Sequence, residues 1–410
     1  MPELRPITEG EFEALHRVIS TSFGWESTED SVAYERRNFE FDRSIAALDG
    51  GEMVGSAAAY SFELTLPGGT SVPAAGVTWV GVLPTHRRQG ILRSMMEYQL
   101  TDVARRGEPL AVLTASEGGI YGRFGYGLAT FVASSDLPTR GTTFRPEPEA
   151  GGRIRLVDAE AASKLLPEID EATRLARAGA IRRSEAYWES YFTDPKDWRQ
   201  GASGRFYAVH QDGGGHPDGF VAYRMRENGS GDGGGPSKTV LAHELRASGP
   251  EVEAALCRYL LDIDLVSTVS LLNRPLDDPL RFRLTDVLRY RTKRIDDWLW
   301  VRLVDIPAAL AARRYATEGT VVFQVRDPFR PANDGCYELE AVPDGATCRR
   351  TGELEADVSL DVDALGAAYL GGVRFTTLAD AGRARGERPA LLRADALFTS
   401  TPLPFCNLGF

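Results

Sequence analysis

The chain has 410 residues, 43% of them hydrophobic and 26% charged, which is typical of a globular protein long enough for two or three domains. Its formal net charge of −11 argues against nucleic acid as a partner, because no basic tract offsets the acidic residues. Four cysteines without Cys-x-x-Cys spacing and only five histidines argue against a bound metal.

The two ends of the chain carry further indications. The N-terminal segment, MPELRPITEGEFEALHRVIS, has no apolar signal core, and no apolar run reaches the length of a membrane span. We therefore expect a cytoplasmic protein that does not insert into a membrane. The segment Thr399 to Phe410 holds no charged side chain, so we expect it to dock into the body of the protein instead of fraying.

The first part of the chain predicts two helices and a β-hairpin. Phe12 to Phe23 spaces its apolar residues as an amphipathic helix does. Trp25 to Phe41 mixes aromatic and acidic residues, which predicts a second helix or a lid. Two strands, Ile45 to Leu48 and Met53 to Leu66, flank an Asp-Gly-Gly hairpin turn.

A strand, a turn and a helix follow in direct succession. Val77 to Val82 is β-branched and aromatic, as strands are. The stretch from Leu83 to Gly90 contains proline, glycine and two arginines and must turn. From Ile91 to Leu100 the apolar residues then recur on one helical face.

The turn before this helix predicts an anion site. The first N–H groups of a helix lack internal partners and carry partial positive charge. Gly90 lets the backbone approach a ligand, and Arg87, Arg88 and Arg93 add charge that matches phosphate.

The glycine pattern narrows the kind of anion site. The Gly-x-Gly-x-x-Gly of dinucleotide-binding folds is absent, and so is the Gly-Lys-Ser/Thr end of a P-loop. The stretch from Arg87 to Leu92, RRQGIL, resembles the pyrophosphate loop of GNAT-superfamily acyltransferases, Gln/Arg-x-x-Gly-x-Gly/Ala, and departs from it at Leu92. A plain surface turn stays an alternative for this loop taken alone.

The rest of the chain reads as two further units. Leu110 to Ser116 predicts a short buried strand, and Pro138 to Gly152 has the composition of a linker. The elements after the linker weakly echo the order of the first unit but have no Arg/Gly loop. A third unit begins near Asp297. The alternation of helices and strands predicts an α/β (α+β) protein.

A second motif makes the resemblance specific. The stretch Ser116 to Gly127, SEGGIYGRFGYG, together with Pro84 to Gly90, PTHRRQG, resembles the enhanced intracellular survival (Eis) family of actinobacterial acetyltransferases. The similarity extends to Trp298–Pro307, to Leu365–Gly371 (LGAAYLG) and to a C-terminal phenylalanine.

The resemblance implies an architecture and an activity. It implies tandem GNAT folds, residues 1–145 and a degenerate copy at 146–296, followed by a sterol-carrier-protein-like domain at 297–410 whose C-terminus reaches the active site. Members of the family assemble as hexamers and transfer acetyl from acetyl-CoA to amines, notably those of aminoglycosides. No metal is implied.

The resemblance also implies roles for single residues. Tyr121 matches the general acid of the family, and the free carboxylate of Phe410 matches the general base. The acetyl-CoA-binding residues that it implies are Val80, Gly81, Val82, Arg87, Arg88, Gln89, Gly90, Ile91, Leu92, Arg93, Ser116 and Glu117.

The chemistry is compatible with these two roles. A substrate amine has a pKa of about 10 and must lose a proton before it attacks. A terminal carboxylate, with a pKa of about 3.5 in water, becomes a better base when it is buried. A tyrosine of pKa about 10 can protonate a leaving thiolate of pKa about 8.5. Packing remains the alternative role for both Tyr121 and Phe410, and Tyr126 is a competing tyrosine in the same motif.

The acceptor pocket is predicted less directly. Aromatic rings and carboxylates attract ammonium groups, and four residues are candidates: Trp25, Glu26, Trp79 and Trp188. Core packing is the stronger alternative for Trp79 and Trp188. Gly409 stands where the family resemblance predicts an acidic side chain, a departure that bears on aminoglycoside affinity more than on acetyl transfer.

Two other functions stay open at this stage. The acceptor can be a lysine side chain of a protein, or the chain can be a nonenzymatic carrier of lipid or another hydrophobic ligand. The Arg/Gly loop and Tyr121 favour the enzyme, because a carrier needs neither of them.

Overall fold

The computed structural model describes residues 2–228, 238–352 and 354–410. These residues form two compact units that interleave along the sequence. The first comprises Met1–Thr130, Ala178–Arg182 and Trp298–Phe410, and the second comprises Phe131–Arg177 and Arg183–Asp297. In the described part of the chain, no helix is long and apolar enough to cross a membrane.

The strands of the structure, in chain order, are β1 (Glu3–Arg5), β2 (Ser44–Asp49), β3 (Glu52–Thr65), β4 (Ser71–Val82), β5 (Leu110–Thr114), β6 (Gly127–Leu128), β7 (Phe131–Pro138), β8 (Arg153–Val157), β9 (Phe206–Gln211), β10 (Pro217–Glu227), β11 (Lys238–Ala247), β12 (Val266–Arg274), β13 (Arg291–Asp297), β14 (Leu299–Leu303), β15 (Gly319–Arg326), β16 (Gly335–Val342), β17 (Gly345–Thr351), β18 (Val358–Asp361) and β19 (Ala384–Arg385).

The α-helices are α1 (Phe12–Phe23), α2 (Glu29–Arg36), α3 (Ile91–Arg105), α4 (Gly118–Tyr121), α5 (Ala159–Arg174), α6 (Glu185–Thr193), α7 (Pro250–Leu261), α8 (Leu280–Arg283), α9 (Ile306–Ala312), α10 (Val362–Ala368), α11 (Phe375–Asp380) and α12 (Arg388–Phe398).

Three sheets organise these elements. The first unit holds a sheet of order β1-β2-β3-β4-β5-β14-β6 and another of order β17-β16-β15-β18-β19. The second unit holds a sheet of order β13-β7-β12-β11-β10-β9-β8. The α/β class predicted from the sequence is confirmed, and so are the first helix, the β2–β3 hairpin and the α3 helix. The sequence-based domain limits stay predictions, because the two units follow spatial contact and not chain order.

The two faces of the first sheet are covered differently. On one face, α3 packs its buried residues Met95, Met96 and Leu100 against alanines and valines of the strands. On the other face, α1 contributes Phe12 and Leu15 to a cluster with Ala58 of β3. Because side chains alternate along a strand, Tyr60 and Phe62 share the face of Ala58 and lie opposite α3.

Strand β14 joins the first sheet although it follows the whole second unit in sequence. It pairs antiparallel with β5 on one side and with β6 on the other. Its Arg302 is completely buried and donates through Nη2 to Asp327 Oδ2, 2.6 Å away. Both side chains of this ion pair are inaccessible to solvent. Asn333 Nδ2 also donates to this carboxylate oxygen at 2.9 Å, so Oδ2 of the buried, negatively charged Asp327 has two partners in the described residues.

Two glycines bring α10 directly against β6 and β14. A Cβ on Gly127 would lie 1.8 Å from the carbonyl oxygen of Asp363, and one on Gly366 would lie 2.3 Å from that of Val301. Both positions therefore exclude any side chain. The SEGGIYGRFGYG and LGAAYLG motifs, far apart in sequence, meet at this contact.

The C-terminal tail docks into the first unit, as its lack of charge predicts. Cys406 and Leu408 are buried, and Trp298 Nε1 donates to the Leu408 carbonyl at 3.0 Å. The Phe405 N–H donates at 2.8 Å to the carbonyl of Ala178, in the short segment Ala178–Arg182. That segment in turn runs antiparallel to the end of β3, where the Gly179 N–H donates to the Thr65 carbonyl at 2.8 Å.

We expect Gly127→Ala to destabilise the first unit by about 3 kcal/mol, the upper end of the cost of overpacking. The added methyl group meets backbone atoms of α10, which move only if the helix moves. Thermal unfolding followed by circular dichroism measures the effect. Gly119→Ala is the matched control, because a Cβ there has no neighbour within 4 Å. Equal melting temperatures for the two variants would contradict this contact.

Candidate active site

Strands β4 and β5 separate at the centre of the first sheet. They pair in parallel only between Ala74–Gly76 and Leu110–Val112. Beyond Gly76, the residues Val80, Gly81 and Val82 keep β3 as a neighbour but no longer pair with β5. Their backbone groups on the β5 side are therefore placed to receive an extended ligand, in the manner of strand addition.

A β-bulge at Trp79 helps to turn β4 away. Ala58 pairs with Thr78, whereas Ser56 pairs with Gly81. Over this interval β4 therefore contains one residue more than β3, which defines the bulge. Trp79 itself has φ of +54°, a left-handed conformation that is costly for a bulky residue. Its indole Nε1 donates to Tyr60 Oη at 3.1 Å, and its ring packs against Phe12 and Phe39.

The Arg/Gly loop opens directly onto the start of α3. Arg88 and Gly90 have φ of +63° and +84°, and Gly90 is the N-cap residue of the helix. The first internal bond of this turn runs from Ser94 N–H to the Gly90 carbonyl at 3.0 Å. The N–H groups before it have no helical acceptor, an arrangement that suits an anion.

The side chains of the loop differ in their freedom. Arg88 is exposed and has no ion pair or hydrogen bond in the part of the chain that the structure describes. Arg87 donates to the Ser22 carbonyl at the end of α1, 3.1 Å away, and Arg93 pairs with Glu97 at 2.9 Å. Gln89 makes one long bond, to the Thr85 carbonyl at 3.4 Å.

The apolar members of the predicted loop support the helix. Ile91 is buried in the core beneath α3, and Leu92 packs against that core while partly exposed. Gly81 lies close to α1, since a Cβ there would lie 2.8 Å from Ile19 Cδ1, the end of a side chain that would have to shift.

The second motif places Tyr121 just beyond the end of β5. Ser116 and Glu117 are exposed, and Tyr121 is half-buried at the end of α4. Burial, together with the charge of Glu117, raises the pKa of Tyr121 to about 12, so its hydroxyl stays protonated throughout the neutral range. The gap to a thiol of pKa about 8.5 is thus wider than the ordinary tyrosine pKa predicts.

Tyr126 is a different kind of tyrosine. It is completely buried, and within the described residues its hydroxyl has no hydrogen-bond partner. Burial raises its pKa further than that of Tyr121. Its ring packs edge-on against Tyr121 with 6.0 Å between the centroids, which makes it a support for that residue.

Phe410 lies against the end of β5. Thr114 Oγ1 donates to the main-chain oxygen of Phe410 at 3.1 Å, and Ser116 follows two residues after Thr114. The Phe410 ring packs edge-on against Phe62 of β3, with centroids 4.8 Å apart. Phe62 itself lies over Gly76, where a Cβ would be 2.2 Å from its ring, at the point where β4 and β5 part.

The predicted acceptor residues are distributed unevenly. Trp25 is partly exposed and packs edge-on against His16 at 5.0 Å, whereas Glu26 is exposed. Trp79 packs against the rings of Phe12 of α1 and of Phe39. Trp188 is 8% exposed and packs into a core cluster of the second unit, with Leu166 and Phe220. Trp188 therefore has the surroundings of a core-packing residue, the alternative to its predicted role in the acceptor pocket.

Sequence reasoning missed Glu35 of α2. Its carboxylate lies 2.8 Å from Nε2 of the buried His16, and its burial raises its pKa to about 7. A single acid between Tyr34 and Arg36 gives no sequence signal of this kind. In the described residues, no three His, Cys, Asp or Glu side chains converge as metal ligands would.

Known proteins match this chain along its length. A GNAT acetyltransferase domain matches residues 3–129, a second GNAT acetyltransferase domain matches residues 179–303, and a sterol carrier protein domain matches residues 306–407. The N-acetyltransferase Eis of Mycobacterium tuberculosis is 33% identical over 402 residues, and the match covers 96% of each chain. The chain belongs to the Eis family of N-acetyltransferases.

Two further relatives agree with this placement. An uncharacterised N-acetyltransferase of Streptomyces avermitilis is 40% identical over 415 residues, a match that covers 100% of this Eis-family chain and 99% of the relative. The crystal structure of Eis1 from Mycobacterium abscessus has a TM-score of 0.88 and 36% identity, with 100% of both chains covered. The tandem GNAT domains, the sterol carrier protein domain and the acetyltransferase activity follow from these matches.

The residues of this Eis-family enzyme fit the acetyl-CoA that GNAT acetyltransferases use. The unpaired edge of β4 suits the amide groups of a pantetheine arm, and the exposed Arg88 and the start of α3 suit a pyrophosphate. When bound, acetyl-CoA supplies the activated acetyl group.

We expect Arg88→Ala to raise the KM for acetyl-CoA roughly 10- to 100-fold, because a hydrogen bond to a charged group contributes about 1.5–3 kcal/mol. The kcat should change little, because the pyrophosphate of acetyl-CoA is far from the thioester that reacts. Steady-state assays of free thiol release measure both constants. Arg105→Ala, at the exposed far end of α3, is the control. An unchanged KM in the Arg88 variant would remove this residue from the binding loop.

Proposed function

We propose that this enzyme transfers acetyl from acetyl-CoA directly to an amine of an aminoglycoside or a similar polycationic acceptor. In this proposal, the Phe410 carboxylate removes a proton from the attacking amine and Tyr121 protonates the departing thiolate. The observation that carries it is the bond from Thr114 to the Phe410 carboxylate, since it holds the last atoms of the chain at the end of β5.

The surroundings of Phe410 support its role as base. Within the described residues, its carboxylate accepts one hydrogen bond, from the neutral hydroxyl of Thr114, and the Phe410 ring packs against Phe62. A carboxylate in partly apolar surroundings is a stronger base than one in water. The amine that attacks must lose a proton at neutral pH, and the carboxylate is placed to take it.

Tyr121 is suited to donate only late in the reaction. Its pKa of about 12 means that the proton leaves the hydroxyl only as negative charge develops on the sulfur. Its hydroxyl also serves as a hydrogen-bond donor to that developing charge without full transfer. Direct attack by the amine needs no enzyme nucleophile.

The test is a pair of variants assayed against aminoglycosides, polyamines and lysine peptides. Converting the Phe410 carboxylate to a carboxamide by semisynthesis keeps the shape of the tail but removes the base. We expect kcat/KM to fall 10²- to 10⁴-fold in this protein and in Tyr121→Phe, the range for loss of acid–base catalysis. Affinity for acetyl-CoA should stay the same, as measured by calorimetry.

Tyr98→Phe is the control for the tyrosine variant, because Tyr98 lies on α3 and is 39% exposed. Full turnover by the carboxamide protein would overturn the role of Phe410. A panel in which only the lysine peptides react would keep the mechanism and replace the acceptor by a protein. For Tyr121, the rate should show no loss from its ionisation below about pH 11, given its pKa of about 12.

We further propose that the enzyme is a cytoplasmic homohexamer, as its family resemblance implies. An exposed apolar surface on the second unit supports self-association: Phe282 of α8 and Leu288 of the following turn are 79% and 78% exposed.

We expect a double variant, Phe282→Glu with Leu288→Glu, to lower the particle mass measured by mass photometry from six copies to fewer. The two charges would oppose burial of this surface in an interface. Leu392→Glu, 52% exposed on α12, is the control. A hexamer that survives the double variant would place the interface elsewhere.

A further inference from the structure

Glu35 is a carboxylate held in apolar surroundings on the same face of the first sheet as Phe410. Its side chain is 24% exposed, and one oxygen, Oε2, is sealed from solvent. In the described part of the chain, the only cationic side chain within ion-pair distance is His16, which is itself fully buried. Burial lowers the pKa of His16, which reduces the positive charge that this imidazole can set against the acid.

Aromatic rings line the route from Phe410 towards Glu35. Phe62 packs against Phe410, and the ring of Tyr60 follows 5.7 Å from that of Phe62. Tyr60 then accepts the bond from Trp79, whose ring lies 6.2 Å from that of His16. Aromatic faces and a carboxylate together recognise an organic ammonium group.

Two carboxylates lie near the Tyr60 hydroxyl. Burial, together with the charges of Glu35 and Glu40, raises the pKa of Tyr60 to about 12. Glu40 is fixed to β3 by bonds from the N–H and the hydroxyl of Ser61, at 2.7 and 2.6 Å. The titratable groups beside this place are His16 from α1, Tyr34 from α2, Glu40 and Tyr60. Two cations lie at its border: Arg43 pairs with Glu108 and also donates to Ser61 at 2.9 Å, and Arg36 lies over the Phe12 and Phe41 rings.

We infer that Glu35, with the rings of Tyr60 and Trp79, holds a second ammonium group of the acceptor while the first reacts beside Phe410. The enzyme would then select acceptors with at least two separated amines. This inference rests on the proposed function and adds a specificity-determining residue to it.

The pH dependence follows from the same carboxyl group. Glu35 binds a cation only when it is ionised, and its pKa is raised to about 7 by burial. As the pH falls through about 7 the carboxyl becomes protonated, so the preference for a diamine should weaken over this range and be strong well above it. The amines themselves keep their charge over this range, because their pKa is about 10.

The test compares cadaverine with n-pentylamine, which share a chain length but differ by one amine. We expect the wild type at pH 8 to favour cadaverine in kcat/KM by tenfold or more, and Glu35→Gln to abolish most of that preference through KM. Asp30→Asn removes an exposed acid of the same helix and should leave the preference intact. The preference of the wild type should fall between pH 8 and pH 6, whereas that of Glu35→Gln should be flat.

Binding separates this inference from the proposed function. If neither amine is acetylated, the proposed acceptor class fails, and tryptophan fluorescence titrated with cadaverine then decides the subsite. A Kd about tenfold weaker in Glu35→Gln supports it, and an equal Kd or no binding overturns it. If Glu35→Gln does not fold, Glu35→Asp serves instead: it keeps the charge, so the pH dependence should persist with a weaker Kd, and its loss would overturn the inference. A cadaverine preference that survives unchanged in Glu35→Gln also overturns it.

Discussion

The insertion of β14 between β5 and β6 is the constraint on which the first unit depends. Without β14, β5 would be an edge strand. The loop that carries Tyr121 connects β5 to β6, and these two strands are held in the sheet by their pairing with β14. The buried pair of Arg302 and Asp327 fixes β14 to the segment that follows β15. Removal of one partner of such a pair costs about 3–5 kcal/mol, because the other charge stays buried.

The position of the C-terminal tail follows from that arrangement. With β14 in the sheet, Trp298 lies directly before it and holds the Leu408 carbonyl, while α10 packs over β6 through two glycines. The segment Ala178–Arg182 gives the tail a second support along β3. These backbone and core contacts hold the tail in place, and Thr114 donates a hydrogen bond to Phe410 at its end.

The features that the sequence predicted well are local. The amphipathic period of α3, the glycine at its N-cap and the uncharged tail each depend on neighbouring residues, and the structure confirms all three. The role of the motif glycines was not predicted from their pattern. Gly127 is small because a distant helix touches it, and no local rule indicates that partner.

What the sequence could not predict depends on contacts between distant residues. A five-residue run such as β14 predicts a strand but does not indicate which strands it pairs with. The bulge at Trp79 depends on register with β3. Glu35 looks like any surface acid of a helix until His16 and Tyr60 are seen beside it, because burial and not residue type sets its pKa.

The insertion of β14 also determines when the enzyme can finish folding during synthesis. Leu299 and Thr130, whose bond closes the sheet beside β6, are 169 positions apart in the chain. At 5–20 residues per second, the ribosome needs roughly 10–30 s to make the intervening stretch. During that time the nascent first sheet exposes the edge of β5, a site for pairing with another chain. The second unit is made within this interval, so the delay is the time available for it to fold before β14 emerges.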